Sequence, residues 1–254
     1  MIRRFIASLR KEMRKGLIKL FSALLATSAS YALAASDATT KEPYLIGTAY
    51  KPGTQDVLYL EKHYWLTDFL SLVEYYDQGN EILARKTINY SQQKNFSPDI
   101  LIEDYRLKRR VSVMHGPEKC QLIVEDANTK ELIESATHPA EGHAVTDAGF
   151  DNYLRAQWPL LEKGETAKFS FLMTDEDQVV ALKARQRSCQ PEAGKGDSIC
   201  FRISPANWLV SALAPPIDVE YDIKTRKLLS YEGIGLLRDT SGKRLKVDLR
   251  YRYQ

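Results

Sequence analysis

The chain has 254 residues, 44% hydrophobic and 27% charged, so it can build an ordinary core and is not disordered, collagen-like or of low complexity. Its three cysteines are too few for a small scaffold held by disulfides. The formal net charge is +3, but seven of the 36 Lys/Arg and one of the 33 Asp/Glu lie in residues 1–34. The rest of the chain therefore carries a net charge of about −3, which gives no argument for nucleic-acid binding.

Residues 1–34 have the order of a secretory signal peptide. Seven basic residues precede an apolar run from Leu20 to Leu25, and the small residues of Ala32-Leu33-Ala34 follow. The apolar run is shorter than the roughly 20 residues of a membrane-spanning helix. We therefore predict cleavage near Ala34, a periplasmic location and no stable membrane span after cleavage. Initiation at Met1 or Met13 stays open, and an uncleaved amphipathic anchor is the alternative.

Residues 44–254 are predicted to form a single β-rich domain after a flexible segment at 35–43, with a possible subdivision near 138–145. Hydrophobic residues alternate with period two, and turn-type clusters separate the alternating runs. The predicted strands include 46–50, 57–65, 70–76, 81–90, 100–107, 111–114, 121–125, 131–135, 166–173, 178–187, 199–203, 217–223, 228–231 and 244–253.

Two short helices interrupt this alternation. Residues 147–158 place Phe150 and Trp158 on one apolar face, and a proline ends the run. The second helix is predicted to begin at Ser204, as the N-cap before a proline, and to carry Trp208 on its apolar stripe. The predicted fold is mainly β: a large curled antiparallel sheet or open half-barrel, with about two short helices packed on one face.

A large sheet must hide one face, and few helices are present to cover it. Curling would leave an apolar concavity, where ligand binding is expected. We therefore predict a soluble periplasmic binding or carrier protein for a lipid or other amphipathic small molecule, without a cofactor. The residues predicted to line the site are Trp65, Phe150, Trp158 and Trp208. The alternative is an envelope-assembly protein that docks on another envelope protein through a sheet edge.

Two cysteines flank a polar segment that contains glycine and proline. Cys189 precedes this segment and Cys200 follows it, between two alternating runs. The pattern predicts a hairpin whose loop is closed by a disulfide in an oxidising compartment, which stabilises by roughly 3 kcal/mol. Cys120 is predicted to be a small buried apolar residue.

A carboxylate and an imidazole share one face of the second predicted strand. Glu61 and His63 are two residues apart, with Trp65 next along the face. They are either an acid–base pair or a structural polar pair, so a periplasmic hydrolase is a second alternative. The sequence holds no nucleophile elbow and no phosphate-binding loop, and we assign no catalytic residue.

Two further polar groups have a plain interpretation as solvated loops. His138, Glu141 and His143 lie in a segment with proline and glycine whose spacing matches no metal motif, so no metal site is predicted. A basic run from Arg106 to Arg110 is either a solvated turn or a patch for anionic phospholipid headgroups, with alternate residues on one face.

Turn and strand residues over about residues 45–253 carry a family resemblance. The segments that carry it include Glu61–Tyr64, Val73–Gly79, Ala84–Tyr90, Asp104–Arg106, Pro216–Asp222, Tyr231–Gly233 and Leu237–Asp239. With these segments the chain resembles exported proteins of Gram-negative proteobacteria that contain a domain of unknown function. It is also loosely similar to the lipoprotein-carrier fold, a curled antiparallel sheet around helices. The resemblance implies that fold but no activity, because a shared fold does not imply a shared function.

Overall fold

The alternating segments form one sheet of 15 strands. The computed structural model describes residues 42–90, 96–139, 145–174, 178–189, 197–207, 215–239 and 241–254. The predicted signal peptide, Trp208, Glu141 and His143 lie outside these residues. Pro43–Gln254 makes up one compact unit. None of the helices in the described ranges has the length and hydropathy of a membrane span.

The predicted strands are present, and most of their bounds agree within two residues. The first eight strands are Leu45–Tyr50 (β1), Val57–Trp65 (β2), Leu70–Tyr76 (β3), Ile82–Asn89 (β4), Asp99–Asp104 (β5), Arg109–His115 (β6), Lys119–Asp126 (β7) and Leu132–Pro139 (β8). The others are Val145–Thr146 (β9), Ala167–Met173 (β10), Gln178–Arg187 (β11), Ser198–Pro205 (β12), Ile217–Asp222 (β13), Leu228–Arg238 (β14) and Arg244–Tyr253 (β15). The ends of β5, β8 and β14 differ from the prediction by three to seven residues, and β9 was not predicted. The two described helices are Gly149–Ala156 (α1) and Trp158–Leu161 (α2).

The strand order is that of a meander joined at its middle. It runs from β8 down to β1, and then from β15 down to β9. The first and last strands therefore pair at the centre, and β8 and β9 form the two edges. Neighbouring strands are antiparallel except β9 and β10, which are parallel. The mainly β, unclosed sheet confirms the predicted fold class.

The sheet curls until distant strands meet. Leu172 of β10 packs in an apolar cluster with residues of β5, β6 and β7. The Thr146 amide of β9 donates a hydrogen bond to the Phe96 carbonyl (2.9 Å), and the Thr146 hydroxyl lies 3.1 Å from Nε2 of His115 on β6. The edge at β9 therefore lies beside β5 and β6, which gives the sheet an enclosed inner face.

Three apolar clusters fill this inner face. The first joins α1 and α2 to strands β9–β13, the second lies on β1–β4, β14 and β15, and the third lies on β5–β7 and includes Leu172 of β10. Leu236 of β14 and Ala148 contact both the second and the third clusters. Tyr231 of β14 contacts both the first and the second clusters, so the three clusters are continuous, with the helices in the first.

The second predicted helix does not begin where the sequence indicates. Ser204 and Pro205 are the last residues of β12, opposite Lys183 and Leu182 of β11. The Ala206 amide extends this ladder by donating to the Ala181 carbonyl (2.8 Å). The local capping signal was wrong because the ladder continues through these residues, and tertiary pairing outweighs a local preference. Residues 208–214 lie outside the described residues.

The outer face of the first half of the sheet carries alternating charges. In this row each charged residue is paired with the next one across two neighbouring strands, so every charge has an opposite charge beside it, which stabilises the pairing. The charged row is Lys62, Glu74, Arg85, Glu103, Arg110 and Glu125. The residues of the predicted basic patch do not lie together on one face. Lys108 occupies a turn with a φ of 52°, and Arg109 and Arg110 lie on opposite faces of β6.

The predicted disulfide is present. Cys189 follows β11, Cys200 lies on β12, and their Cα atoms are 5.2 Å apart. Strands β11 and β12 pair directly, and Arg187 opposite Cys200 is the last pair of their ladder. The disulfide therefore closes the hairpin at the end of this ladder. Cys120 is buried, as expected.

Candidate ligand-binding site in the sheet interior

Alternate residues of β2 place a line of polar and aromatic side chains on the inner face. Tyr59, Glu61 and His63 occupy this face, since side chains two residues apart on a strand point the same way. His63 Nε2 lies 3.1 Å from Glu61 Oε2, and both side chains are largely buried. The Tyr251 hydroxyl on β15 is at 3.5 Å from the same carboxylate oxygen. A carboxylate and an imidazole in contact can exchange a proton, and their catalytic role stays a prediction.

Four tyrosines surround this carboxylate. Burial raises the pKa of Tyr59, Tyr75 and Tyr251 well above the ordinary value, and the charge of Glu61 adds to the effect. Burial also raises the pKa of Tyr231, with Asp147 and Glu61 as further causes. All four phenols are therefore neutral at physiological pH and present hydroxyl groups to an otherwise apolar interior.

Glycines give these aromatic rings room to approach the opposite strands. A Cβ at Gly235 on β14 would lie 2.9 Å from the Tyr59 hydroxyl oxygen. A Cβ at Gly47 on β1 would lie 2.9 Å from a ring carbon of Tyr251 and 3.2 Å from Glu61 Oε2. The Tyr59 and Tyr251 side chains therefore fit into the interior because β14 and β1 carry glycine, which has no side chain, at the points of contact.

An ion pair crosses the interior between β4 and the segment before α1. Lys86 Nζ lies 3.2 Å from Asp147 Oδ1, and the two side chains are 13% and 22% exposed. Burial lowers the pKa of Lys86, but the charges of Asp147 and Glu61 outweigh it and raise the pKa overall. Asp147 has a left-handed φ of 29°, so the pair is made at a strained backbone position.

Two buried oxygens in this region accept or donate no hydrogen bond among the described residues. They are the Tyr59 hydroxyl and Oδ2 of Asp147. Leaving a buried polar atom without a partner costs about 1–3 kcal/mol. Such atoms are rare in native proteins and call for an explanation, which a bound polar group would supply.

An aromatic rim, formed by Tyr44, His63, Trp65 and Tyr90, lies at one end of the interior. Tyr44 stacks on Trp65 with ring centroids 5.8 Å apart, and Tyr90 lies 6.0 Å from the same indole. Burial raises the pKa of Tyr44 to about 12. Trp65 is 44% exposed, so the rim is in contact with solvent on one side and with the interior on the other.

The residues predicted to line the site fall into different places. Trp65 belongs to the aromatic rim, whereas Trp158 is 2% exposed and packs edge-on against Phe201 and Tyr221. Phe150 packs against the same helical cluster. Trp208 lies outside the described residues. The sequence reasoning missed Lys86 and Asp147, and it noted Tyr231 and Tyr251 as strand tyrosines that could line a groove without including them in the predicted lining. The paired glycines at 233 and 235 opposite tyrosine-bearing strands were the available signal.

A group of metal-type ligands also meets outside the interior. Cys189, Cys200 and Glu220 place one ligand atom each within 4.8 Å of the others. The disulfide occupies both sulfurs, so neither is a thiolate that could bind a metal ion. His138 lies on edge strand β8, and the rest of its predicted cluster is outside the described residues.

Among solved structures, the chain is loosely similar to a β-barrel-like protein of a domain of unknown function, DUF1849, from Brucella abortus. The TM-score is 0.38 and the sequence identity 11%, over 83% of this chain and 96% of that chain. No protein-family model and no curated protein matches the sequence. The predicted resemblance to an uncharacterised family with loose fold similarity is confirmed to this extent. The functional proposal rests on the residues of this chain.

Proposed function

We propose that this protein binds an amphipathic ligand inside its curled sheet and acts as a carrier or binding protein. The observation that carries the proposal is the buried Tyr59 hydroxyl, which lacks a hydrogen-bond partner among the described residues. Tyr59 belongs to the second apolar cluster, on β1–β4, β14 and β15, and no residue of α1 or α2 belongs to that cluster. A ligand with an apolar body and a polar group matches both features.

The open edges of the sheet support a role in uptake and release. The strands do not close into a barrel, because β8 and β9 remain at the ends of the strand order. A sheet that is held around its contents by packing between distant strands can open with less disruption than a closed ladder of hydrogen bonds. This property suits a carrier, which must both take up and deliver its ligand.

Export to the periplasm is part of the proposal. The disulfide supports it, since such bonds persist in oxidising compartments and are rare in the cytosol. The signal-like residues 1–34 support it independently, because their basic, apolar and small-residue regions follow in the required order.

The Tyr59→Phe variant tests whether the interior holds the ligand. It removes one hydroxyl and no packing, so we expect an unchanged or slightly higher unfolding temperature together with about a tenfold weaker affinity for the ligand. The unfolding temperature is measured by calorimetry. The affinity is measured with the uncharged fluorescent probe N-phenyl-1-naphthylamine and with monoacylglycerol as its competitor.

Tyr76→Phe is the matched control, because the Tyr76 hydroxyl donates to Glu74 on the outer face (2.5 Å). This control should retain the affinity of the wild-type protein for both molecules. If the wild-type protein binds neither molecule, the carrier proposal is wrong. If Tyr59→Phe binds both as tightly as the wild type does, the Tyr59 hydroxyl does not face the ligand.

A second candidate function is docking through edge strand β8, favoured by two exposed apolar residues. Leu132 and Ile133 are 58% and 61% exposed, and β8 pairs on one side with β7. An edge strand with apolar side chains is a template for an added strand. The occupant would be an extended segment of another envelope protein.

Lysine substitutions on edge strand β8 test the docking function. We expect Leu132→Lys with Ile133→Lys to abolish complementation of a deletion strain while leaving lipid binding and the unfolding temperature unchanged, since lysine blocks edge pairing. Val179→Lys with Ile223→Lys alters two exposed apolar residues elsewhere and serves as the control. Full complementation by the β8 variant would exclude this function.

A further inference from the structure

The Lys86–Asp147 ion pair leaves hydrogen-bonding capacity unused in the interior. An ammonium carries three N–H groups, and toward the described residues the Lys86 ammonium donates one hydrogen bond, to Asp147 Oδ1 (3.2 Å). The other carboxylate oxygen, Oδ2, is buried and accepts no hydrogen bond from the same part of the chain. The pair therefore combines an ammonium that can still donate with an oxygen that can still accept.

Apolar side chains surround this pair. On β4, Ala84 and Ile88 share the inner face with Lys86, because they lie two residues to either side of it. Across the ladders, Val73 on β3 and Ile102 on β5 are the direct neighbours of Lys86. All four are buried members of the second and third apolar clusters. A buried ion pair offsets its desolvation only when further hydrogen bonds satisfy its remaining lone pairs and N–H groups, and these four side chains offer none.

Contacts on both sides fix the backbone around Asp147. The Thr146 amide donates to the Phe96 carbonyl (2.9 Å), and the Asp147 carbonyl accepts from the Phe150 amide (3.0 Å). Gly149 lies so close to Phe96 that a Cβ at this position would collide with the Phe96 backbone. These contacts hold Asp147 at its left-handed φ of 29°. Strain that the surroundings maintain in this way is concentrated at functional sites, where it positions a group in advance.

Tyr75 connects the ion pair to the proposed ligand site. Its ring centroid lies 5.9 Å from that of Tyr59. Its ladder partner on β4 is Ala84, two residues before Lys86 on the same face. A ligand that reaches the Tyr59 hydroxyl therefore meets the ion pair on a neighbouring part of the same inner face.

The charges of the pair select the kind of head that fits. A carboxylate oxygen can only accept, so the ligand group that faces Asp147 Oδ2 must donate a hydrogen bond. An anionic head would be repelled by this carboxylate and by Glu61, which shares the inner face, and a cationic head would be repelled by the Lys86 ammonium. An uncharged hydroxyl avoids both repulsions, because its O–H donates to the carboxylate while its oxygen accepts from the ammonium.

We propose that the Lys86–Asp147 pair binds an uncharged hydroxyl group of the lipid that the interior holds. The hydroxyl donates to Asp147 Oδ2 and accepts from Lys86 Nζ, and the alkyl chain lies on the apolar clusters around the pair. The inference rests on the proposed carrier function and adds the chemical class of the ligand's head. The ligand is an alcohol, such as a fatty alcohol or a monoacylglycerol, and not an anionic or a cationic lipid.

Four amphiphiles with the same alkyl chain test this chemistry. Dodecanol, dodecyl methyl ether, dodecanoate and dodecylamine compete with N-phenyl-1-naphthylamine for the full mature protein. The ether keeps the oxygen and lacks the O–H, so we expect it to bind about tenfold more weakly than dodecanol, since a hydrogen bond to a charged acceptor is lost. Dodecanoate and dodecylamine should both bind more weakly than dodecanol, because each meets a like charge of the pair.

Asp147→Asn tests whether this carboxylate makes the contact. The amide oxygen can still accept from Lys86, but the other position now carries an NH₂ group, which donates. We expect the variant to lose the preference for dodecanol over the ether. It should also bind dodecanoate about tenfold more tightly than the wild type does, because the Lys86 charge is no longer compensated. A merely structural aspartate would weaken the binding of all four amphiphiles alike.

Asp218→Asn is the matched control. Asp218 on β13 is an ion-paired carboxylate that accepts from the Arg202 guanidinium (2.7 and 2.6 Å). It faces away from the interior, because the next residue, Val219, belongs to the first apolar cluster. This variant should keep the wild-type order of affinities for the four amphiphiles.

The outcomes separate this inference from the function on which it rests. A wild-type protein that binds neither the probe nor any amphiphile overturns the carrier proposal itself. Equal affinity for dodecanol and its ether, or tighter binding of dodecanoate or dodecylamine, overturns the hydroxyl inference and leaves the carrier intact. An Asp147→Asn variant that retains the preference for dodecanol also overturns the inference. If that variant does not fold, Lys86→Met with Asp147→Asn, which leaves no unpaired charge, must show the same loss of preference.

Discussion

Replacing Trp158 with alanine is expected to lower the free energy of unfolding by about 3–5 kcal/mol, because the change empties a closely packed site. The indole is 2% exposed and contacts the rings of Phe201 and Tyr221 with centroids 5.5 and 5.7 Å away. Its ring also lies beneath the guanidinium of Arg226 (5.2 Å). Chemical denaturation followed by circular dichroism measures the loss.

Trp65→Ala is the matched control for this experiment. Trp65 is exposed and stacks on Tyr44 at the aromatic rim, so its loss should cost about 1 kcal/mol or less. Its effect should appear instead as weaker probe binding. A Trp158→Ala variant that keeps its stability and loses probe binding would contradict the helical packing described above and would place Trp158 in the ligand wall.

Replacing Lys86 with methionine is expected to destabilise the protein by about 3 kcal/mol. The change leaves the largely buried carboxylate of Asp147 without the ammonium at 3.2 Å, and an uncompensated buried charge is costly. Since the pKa of Lys86 is raised, its contribution is present at neutral pH and is lost only as the pH rises through that folded-state value. Urea denaturation at pH 7 measures the effect.

A double variant separates charge from shape. Asparagine has nearly the shape of aspartate and tolerates a left-handed backbone, so Asp147→Asn preserves the φ of 29°. We expect Lys86→Met with Asp147→Asn to be more stable than Lys86→Met alone, because the unpaired charge is gone. If the double variant is less stable by the sum of the single losses, the two residues do not act as a pair.

The sequence by itself determined the strands and the disulfide. Period-two runs such as Val57–Trp65 and Gln178–Arg187 give strand bounds directly, because alternate residues must face opposite sides of a sheet. Cys189 and Cys200 flank a turn-rich segment between two such runs, so the hairpin brings them within bonding distance. The shared face of Glu61 and His63 follows from the same period.

The tertiary structure alone decided which distant residues meet in the proposed site. Ser204 and Pro205 carry a strong local helix signal, but the ladder with β11 extends the strand through them. Lys86 and Asp147 are 61 residues apart, and only the curl of the sheet places them in contact. Contacts between strands distant in sequence depend on register, twist and closure, which are properties of the whole sheet and not of any one segment.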